Sequence, residues 1–248
     1  MIILCPTCRN RLEVGRGDRG LIGICDHCET AVPVPESVST PGTVIADYVI
    51  VRPLAQNEPS AVCLCEETDS GQPAVIRVYD GHIAEDSDRV AAFLNDVAAA
   101  KAVRHPGFAS LYDAGLEEDY AYVISEYVQG CTLQQLLDTR RRLPAAQAAG
   151  IILCVAEALD ATHRSGLVMY PKLSLKNIVL MPNGRVKLTD FAFAGVAPDA
   201  VQDDANLPEL RTGSEPDQRA DLFVLGKLLF QLLTGDAPDE TVCQQTQP

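Results

Sequence analysis

The chain has 248 residues, 47% of them hydrophobic, and a formal net charge of −14. That is enough apolar material for one or two domains with real cores. The negative balance argues against non-specific binding to nucleic acid or to an anionic membrane, since both need positive charge to displace counterions or meet headgroups, although a local basic patch is compatible with it.

The first residues, "MIILCPTCRN", have no basic n-region, long apolar stretch or small-residue cleavage site, and no run of roughly 18 uninterrupted apolar residues occurs further on. A soluble, cytoplasmic protein without a membrane segment is expected. Of nine cysteines, four stand in a metal-like spacing and five are scattered. That usage points to a reducing compartment rather than a disulfide framework.

In "CPTCRNRLEVGRGDRGLIGICDHC", Cys5, Cys8, Cys25 and Cys28 form two Cys-x-x-Cys turns separated by sixteen residues. Each turn aims two thiolates at one point, and two turns complete a tetrahedral sulfur shell suited to zinc. "RLEV" and "LIGI" alternate as short strands, with Gly15, Gly17 and Gly20 supplying a turn, so residues 1–33 resemble a zinc ribbon. Four sulfur ligands leave no open coordination position, which makes the metal structural rather than catalytic. His27 lies inside the second turn, either as a competing ligand or, on the plainer reading, as a solvated loop residue.

As a nucleic-acid reader the ribbon is poorly equipped. Arg9, Arg11, Arg16 and Arg19 are balanced by Glu13, Asp18, Asp26 and Glu29, and there is no aromatic residue on which a base could stack. Contact with a protein partner, or simple capping of the fold, is the expectation. Residues 34–47, which take in most of "VPVPESVSTPGT", carry proline, serine and glycine and read as an extended, semi-rigid linker.

From residue 48 the pattern changes. "YVIVRPL", "AVCLCEE" and "PAVIRVYD" are strand-like, "RVAAFLNDVAAAKAV" is helix-like, and "YAYVISEY" is a further strand before a mostly helical stretch that begins at "TLQQLLDTRR". The expected fold class is α+β, with a β-rich lobe followed by an α-rich lobe.

The ordered series "RHPGFASLYDAG", "ISEYVQGCTLQQLL", "VKLTDFAFAG" and "LPELRTGSEPDQRADLFVLGKLLFQLLTG" resembles the bacterial serine/threonine protein kinases over residues 48–248. The resemblance implies, in turn, the His-Pro stretch after helix C, the hinge and helix D, the metal-binding Asp-Phe-Gly segment, the Ala-Pro-Glu triplet at Leu207, Pro208 and Glu209, and helix F with Asp221 and Gly226. It implies a bilobal kinase-like fold that stops after helix F. The later helices have no counterpart, so the chain is expected either to be incomplete or to cover that face by another contact.

Function has to be tested position by position. Where the family has a glycine-rich phosphate loop this chain reads "LAQNEPSAV", with Ala55, Asn57 and Ser60 at the glycine positions and Glu58 adding negative charge. Backbone approach to phosphates becomes harder. Arg77 stands at the position of the catalytic lysine and Asp96 at that of its helix C glutamate, a longer base meeting a shorter acid in an expected structural ion pair. Val75 replaces the small residue that would roof an adenine.

Counting back from Asn177, the family's His-Arg-Asp becomes Tyr170, Pro171 and Lys172; counting forward from Gly166 puts Pro171 at the base position. Either alignment removes the carboxylate that would take a hydroxyl proton, and a protonated lysine cannot replace it. No catalytic residue is therefore assigned. Asn177 and Asp190 match the positions that hold magnesium, and with Arg77 and Asp96 they make up a degenerate ATP–Mg site. Asp190 is followed by Phe191 and Ala192, and the segment "DFAFAGVAPDAVQDDANLPEL" contains no serine, threonine or tyrosine to be phosphorylated.

The remaining candidates have plainer readings. His105 and His163 match non-catalytic positions and are read as structural. Cys63, Cys65, Cys131 and Cys154 lie in apolar runs and are expected in the core, and Arg140, Arg141 and Arg142 at a solvated helix end. The expectation is a pseudokinase-like regulatory or scaffold module with a structural zinc and a protein partner. The alternatives are an atypical active kinase that binds ATP–Mg and a zinc-ribbon nucleic-acid anchor.

Overall fold

A computed structural model describes residues 1–57, 60–80, 86–117, 120–164, 166, 168–169, 173–189 and 217–238. The chain divides into two compact units, residues 1–87 with 111–127, and residues 88–110 with 128–248. The fold class is the expected α+β one, a sheet-rich unit and a helical unit.

Among the described residues the first unit holds ten strands: β1 (Ile2–Leu4), β2 (Arg11–Glu13), β3 (Ile22–Ile24), β4 (Ala31–Pro33), β5 (Thr43–Ile45), β6 (Tyr48–Asn57), β7 (Ser60–Glu67), β8 (Pro73–Asp80), β9 (Leu111–Leu116) and β10 (Tyr120–Glu126). Eight of them form one sheet in the order β2-β1-β5-β6-β7-β8-β10-β9, while β3 and β4 make a separate hairpin. Every pairing in the eight-stranded sheet is antiparallel.

Inward and outward residues alternate as the pleat requires. Cys63 and Cys65 on β7, and Ala74, Ile76 and Val78 on β8, are buried, and with Ile45, Ile50, Tyr122 and Ile124 they build the sheet's core. Arg77 has the opposite parity to Ile76 and Val78 on β8, and it is only partly buried. Pro53 sits within β6 where the register with β7 shifts, which is where a strand tolerates a residue with no N–H to give.

"RLEV" and "LIGI" do form strands, β2 and β3, but in different sheets: β2 pairs with β1 and β3 with β4. Residues 34–47, expected to run extended, instead fold mostly as turns and bends, with only Thr43–Ile45 in a strand, and they enter the packing. Val38, Val44 and Ile45 are buried, and β5 hydrogen-bonds β1 on one side and β6 on the other.

The second unit is built on helices α1 (Ser87–Ala102), α2 (Leu133–Arg140), α3 (Ala145–Arg164) and α4 (Gln218–Thr234), with a small sheet of β11 (Cys131–Thr132), β12 (Ile178–Leu180) and β13 (Val186–Leu188). Thr132 and Gln135 form a capping box that starts α2, and Asp217 caps α4. On α3, Ala148, Ile151, Val155, Ala158, Leu159 and Thr162 recur at helical spacing and form its buried stripe. α3 packs against α4. By length and composition α3 would also suffice to cross a bilayer; its packed stripe is that of a core helix. Contrary to expectation, Cys154 is exposed, because its position on α3 falls outside that stripe.

Candidate functional site

The two Cys-x-x-Cys turns are built alike. Cys5 follows β1 and Cys25 follows β3; each accepts a backbone hydrogen bond at its carbonyl from the residue four further on, Arg9 (2.9 Å) and Glu29 (2.8 Å). Each also donates its own N–H to the residue five on, Asn10 and Thr30, both at 2.9 Å. Arg9 and Glu29 take up left-handed backbone conformations, φ 58° and 57°, so each turn folds back on its cysteine pair.

This repetition brings all four thiols together. The sulfurs of Cys5, Cys8, Cys25 and Cys28 lie within 4.8 Å of one another. Cys5 Sγ is 3.5 Å from Cys28 Sγ, and Cys8 Sγ is 3.6 Å from Cys25 Sγ. Those spacings exceed a disulfide bond of about 2.05 Å and approach the ~3.8 Å edge of a tetrahedron with ~2.3 Å metal–sulfur bonds. The described cysteines are free. His27 is exposed and outside the cluster.

The electrostatics of the quartet are uneven. Cys28 Sγ lies 3.2 Å from the Thr30 hydroxyl, and the Thr30 side-chain and backbone hydrogen bonds hold the Cys28 thiol down at about 6. The Asn10 backbone pulls Cys8 down, but desolvation and the three neighbouring sulfurs outweigh it and push Cys8 up to about 12. Four crowded thiols do not all ionise unless a cation neutralises them, which is what a thiophilic metal supplies.

In the sheet of the first unit, Arg77 on β8 pairs across to Val62 and Val123. Its Nη1 donates to Ser60 Oγ at 3.1 Å. Two substituted positions of the expected nucleotide site, the lysine and a phosphate-loop glycine, are thus bonded to each other. Asp96 lies on α1, in the second unit.

Asn177 precedes β12, and its carbonyl accepts from Thr189 N (2.9 Å) and Thr189 Oγ1 (3.3 Å). The loop bearing Asn177 is thereby tied to the residue before Asp190. Asp190 itself, the base positions Pro171 and Lys172, Glu58, and the segment containing Leu207, Pro208 and Glu209 lie outside the described residues.

Sequence reasoning placed Asp221 in helix F without giving it partners. It is completely buried, and its Oδ2 accepts from His163 Nε2 at 2.8 Å and from Met169 N at 2.9 Å. An acid inside the apolar run "ADLFVLGKLL" was the available signal. His105 Nδ1 accepts from Gly107 N at 3.1 Å, a local turn contact.

The family model for the protein kinase domain matches residues 48–247. The chain belongs to the protein kinase family. A probable serine/threonine-protein kinase of Streptomyces coelicolor is 31% identical over 214 residues, covering 77% of this chain and 31% of that protein. The serine/threonine-protein kinase PrkC of Bacillus subtilis is 27% identical over 200 residues, covering 77% and 31% respectively. The chain therefore spans about a third of the length of these curated relatives. The crystal structure of the Mycobacterium tuberculosis PknI kinase domain superposes with a TM-score of 0.68 at 27% identity, covering 84% of this chain and 81% of that one.

Proposed function

We propose that this kinase-family chain is a regulatory or scaffold module with little or no phosphoryl transfer, and that it carries one structural zinc on Cys5, Cys8, Cys25 and Cys28. Its partner is another protein, and its setting the reducing cytoplasm. The observation that carries the first part is the Arg77–Ser60 hydrogen bond. In an active site of this family the cation at that position orients nucleotide phosphates beneath a glycine loop; here the guanidinium is engaged with a side chain that has replaced a glycine. The sequence adds the missing base carboxylate at Lys172 or Pro171.

A second reading has specific support, since the relatives are named serine/threonine protein kinases. On that reading the chain is an atypical active kinase in which Arg77, Asn177 and Asp190 would hold ATP–Mg. The comparisons favour this second reading over the first, and the substituted positions favour the first. Bound ATP–Mg would supply a transferable phosphoryl group. The Asn177 backbone carbonyl is tied to Thr189, which supports a fixed place for that loop.

Calorimetric titration of the purified chain with ATP separates the two. The regulatory reading predicts weak binding that magnesium does not improve. Tight, magnesium-dependent binding lost in Asp190→Ala would move the assignment to the active kinase.

A further inference from the structure

β1 is only three residues long, and short hairpins are marginal by themselves. It is bounded by β2 on one side and by β5 on the other, and Cys5 is the next residue along the chain. The first metal turn is therefore a continuation of a strand that belongs to the eight-stranded sheet.

Three further ties run from the ribbon into that sheet. Gly42 accepts from Leu4 N at 3.1 Å through its carbonyl and donates its N–H to Ile50 O on β6 at 2.8 Å. Arg11 on β2 reaches Asp47 Oδ1 (3.3 Å) and Thr68 Oγ1 (3.2 Å), bridging the β5–β6 and β7–β8 turns. Met1 packs against both the cysteine-containing core and the main sheet core.

β5 is paired on both sides, with β1 and with β6. It has three residues, all buried, and the Thr43 hydroxyl is buried with no hydrogen-bond partner among the described residues. Burying a hydroxyl unpaired costs free energy, so β5 is a strand held by its neighbours on both sides. A ribbon of about thirty residues has too little core to stay folded without its metal.

We propose that metal occupancy of the four-cysteine site controls the order of β5 and the first half of β6, the strand that leads into the degenerate phosphate loop. The ribbon is then a zinc-responsive regulator of the kinase-fold sheet. This rests on the structural-zinc reading above and adds the coupling. Coupling is reciprocal: if metal binding orders β5, then disordering β5 must weaken metal retention.

Hydrogen exchange on the full chain, zinc-loaded and chelator-stripped under reducing conditions, tests it with zinc content measured in both samples. Stripping is expected to speed exchange at least tenfold in residues 1–33 and also in 43–52, while 61–80 and α3 stay protected. One zinc per loaded chain with acceleration confined to residues 1–33, or loss of protection extending through α3, overturns the coupling and leaves the zinc reading standing. No zinc in the loaded protein overturns both. As the reciprocal arm, Val44→Ala should release zinc to a competing chelator at a several-fold lower chelator concentration than the parent chain; an unchanged midpoint overturns the proposal.

Discussion

Single residues here are governed by their immediate hydrogen bonds and burial. Cys63 and Cys65 are fully buried in the sheet, and burial raises both thiols, Cys65 to about 12. Burial therefore disfavours the thiolate at both positions. Alkylation of the native protein, read by mass spectrometry, should label exposed Cys154 and leave Cys63 and Cys65 unmodified until denaturant is added. Asp221 behaves differently, because it is fully buried and accepts from a buried donor, Met169 N, and a partly buried one, His163 Nε2. Asp221→Ala should destabilise the helical unit by about 1–3 kcal/mol for each partner left unsatisfied, measured by urea unfolding; a loss of less than about 1 kcal/mol in total would mean water takes its place. The sequence marks Asp221 as anomalous within an apolar helix. It does not disclose the partners, since His163 lies 58 positions away and the pairing exists only once α3 and α4 pack.

At the scale of elements, local chemistry was largely readable. The "TLQQ" signature starts α2 as a capping box, and period-two burial fixes β7 and β8. The C-terminus of α4 carries a sharper constraint: Gly235 closes it at φ 88°, and a Cβ there would strike the Arg141 carbonyl oxygen. Gly235→Ala should therefore cost more than about 1 kcal/mol, seen as a lower urea midpoint with an unchanged slope. A neutral result would show that this turn relaxes freely. Residues 34–47 were the least legible element. Proline, serine and glycine announce an extended chain, but they do not say that Val38, Val44 and Ile45 will be drawn into a core by strands on either side. Pairing of β5 with β1 depends on a register that no local pattern encodes.

Over the whole molecule, the order of motifs made the kinase fold legible from residue 48 onward, and the cysteine spacing made the four-thiol cluster legible before it. The spacing did not reveal that the ribbon's first hairpin joins the kinase sheet. Nor does fold membership decide chemistry, because family and activity separate at a few positions. Positioning and charge stabilisation carry phosphoryl transfer, so losing the glycines and the base together should suppress turnover as well as weaken nucleotide binding. The most direct test is transfer of the γ-phosphoryl group from labelled ATP with magnesium to a protein substrate, comparing the purified chain with its Asp190→Ala variant. Equal, background-level labelling by the two is predicted; magnesium-dependent transfer by the parent chain that Asp190→Ala abolishes would contradict the regulatory reading and establish an active kinase.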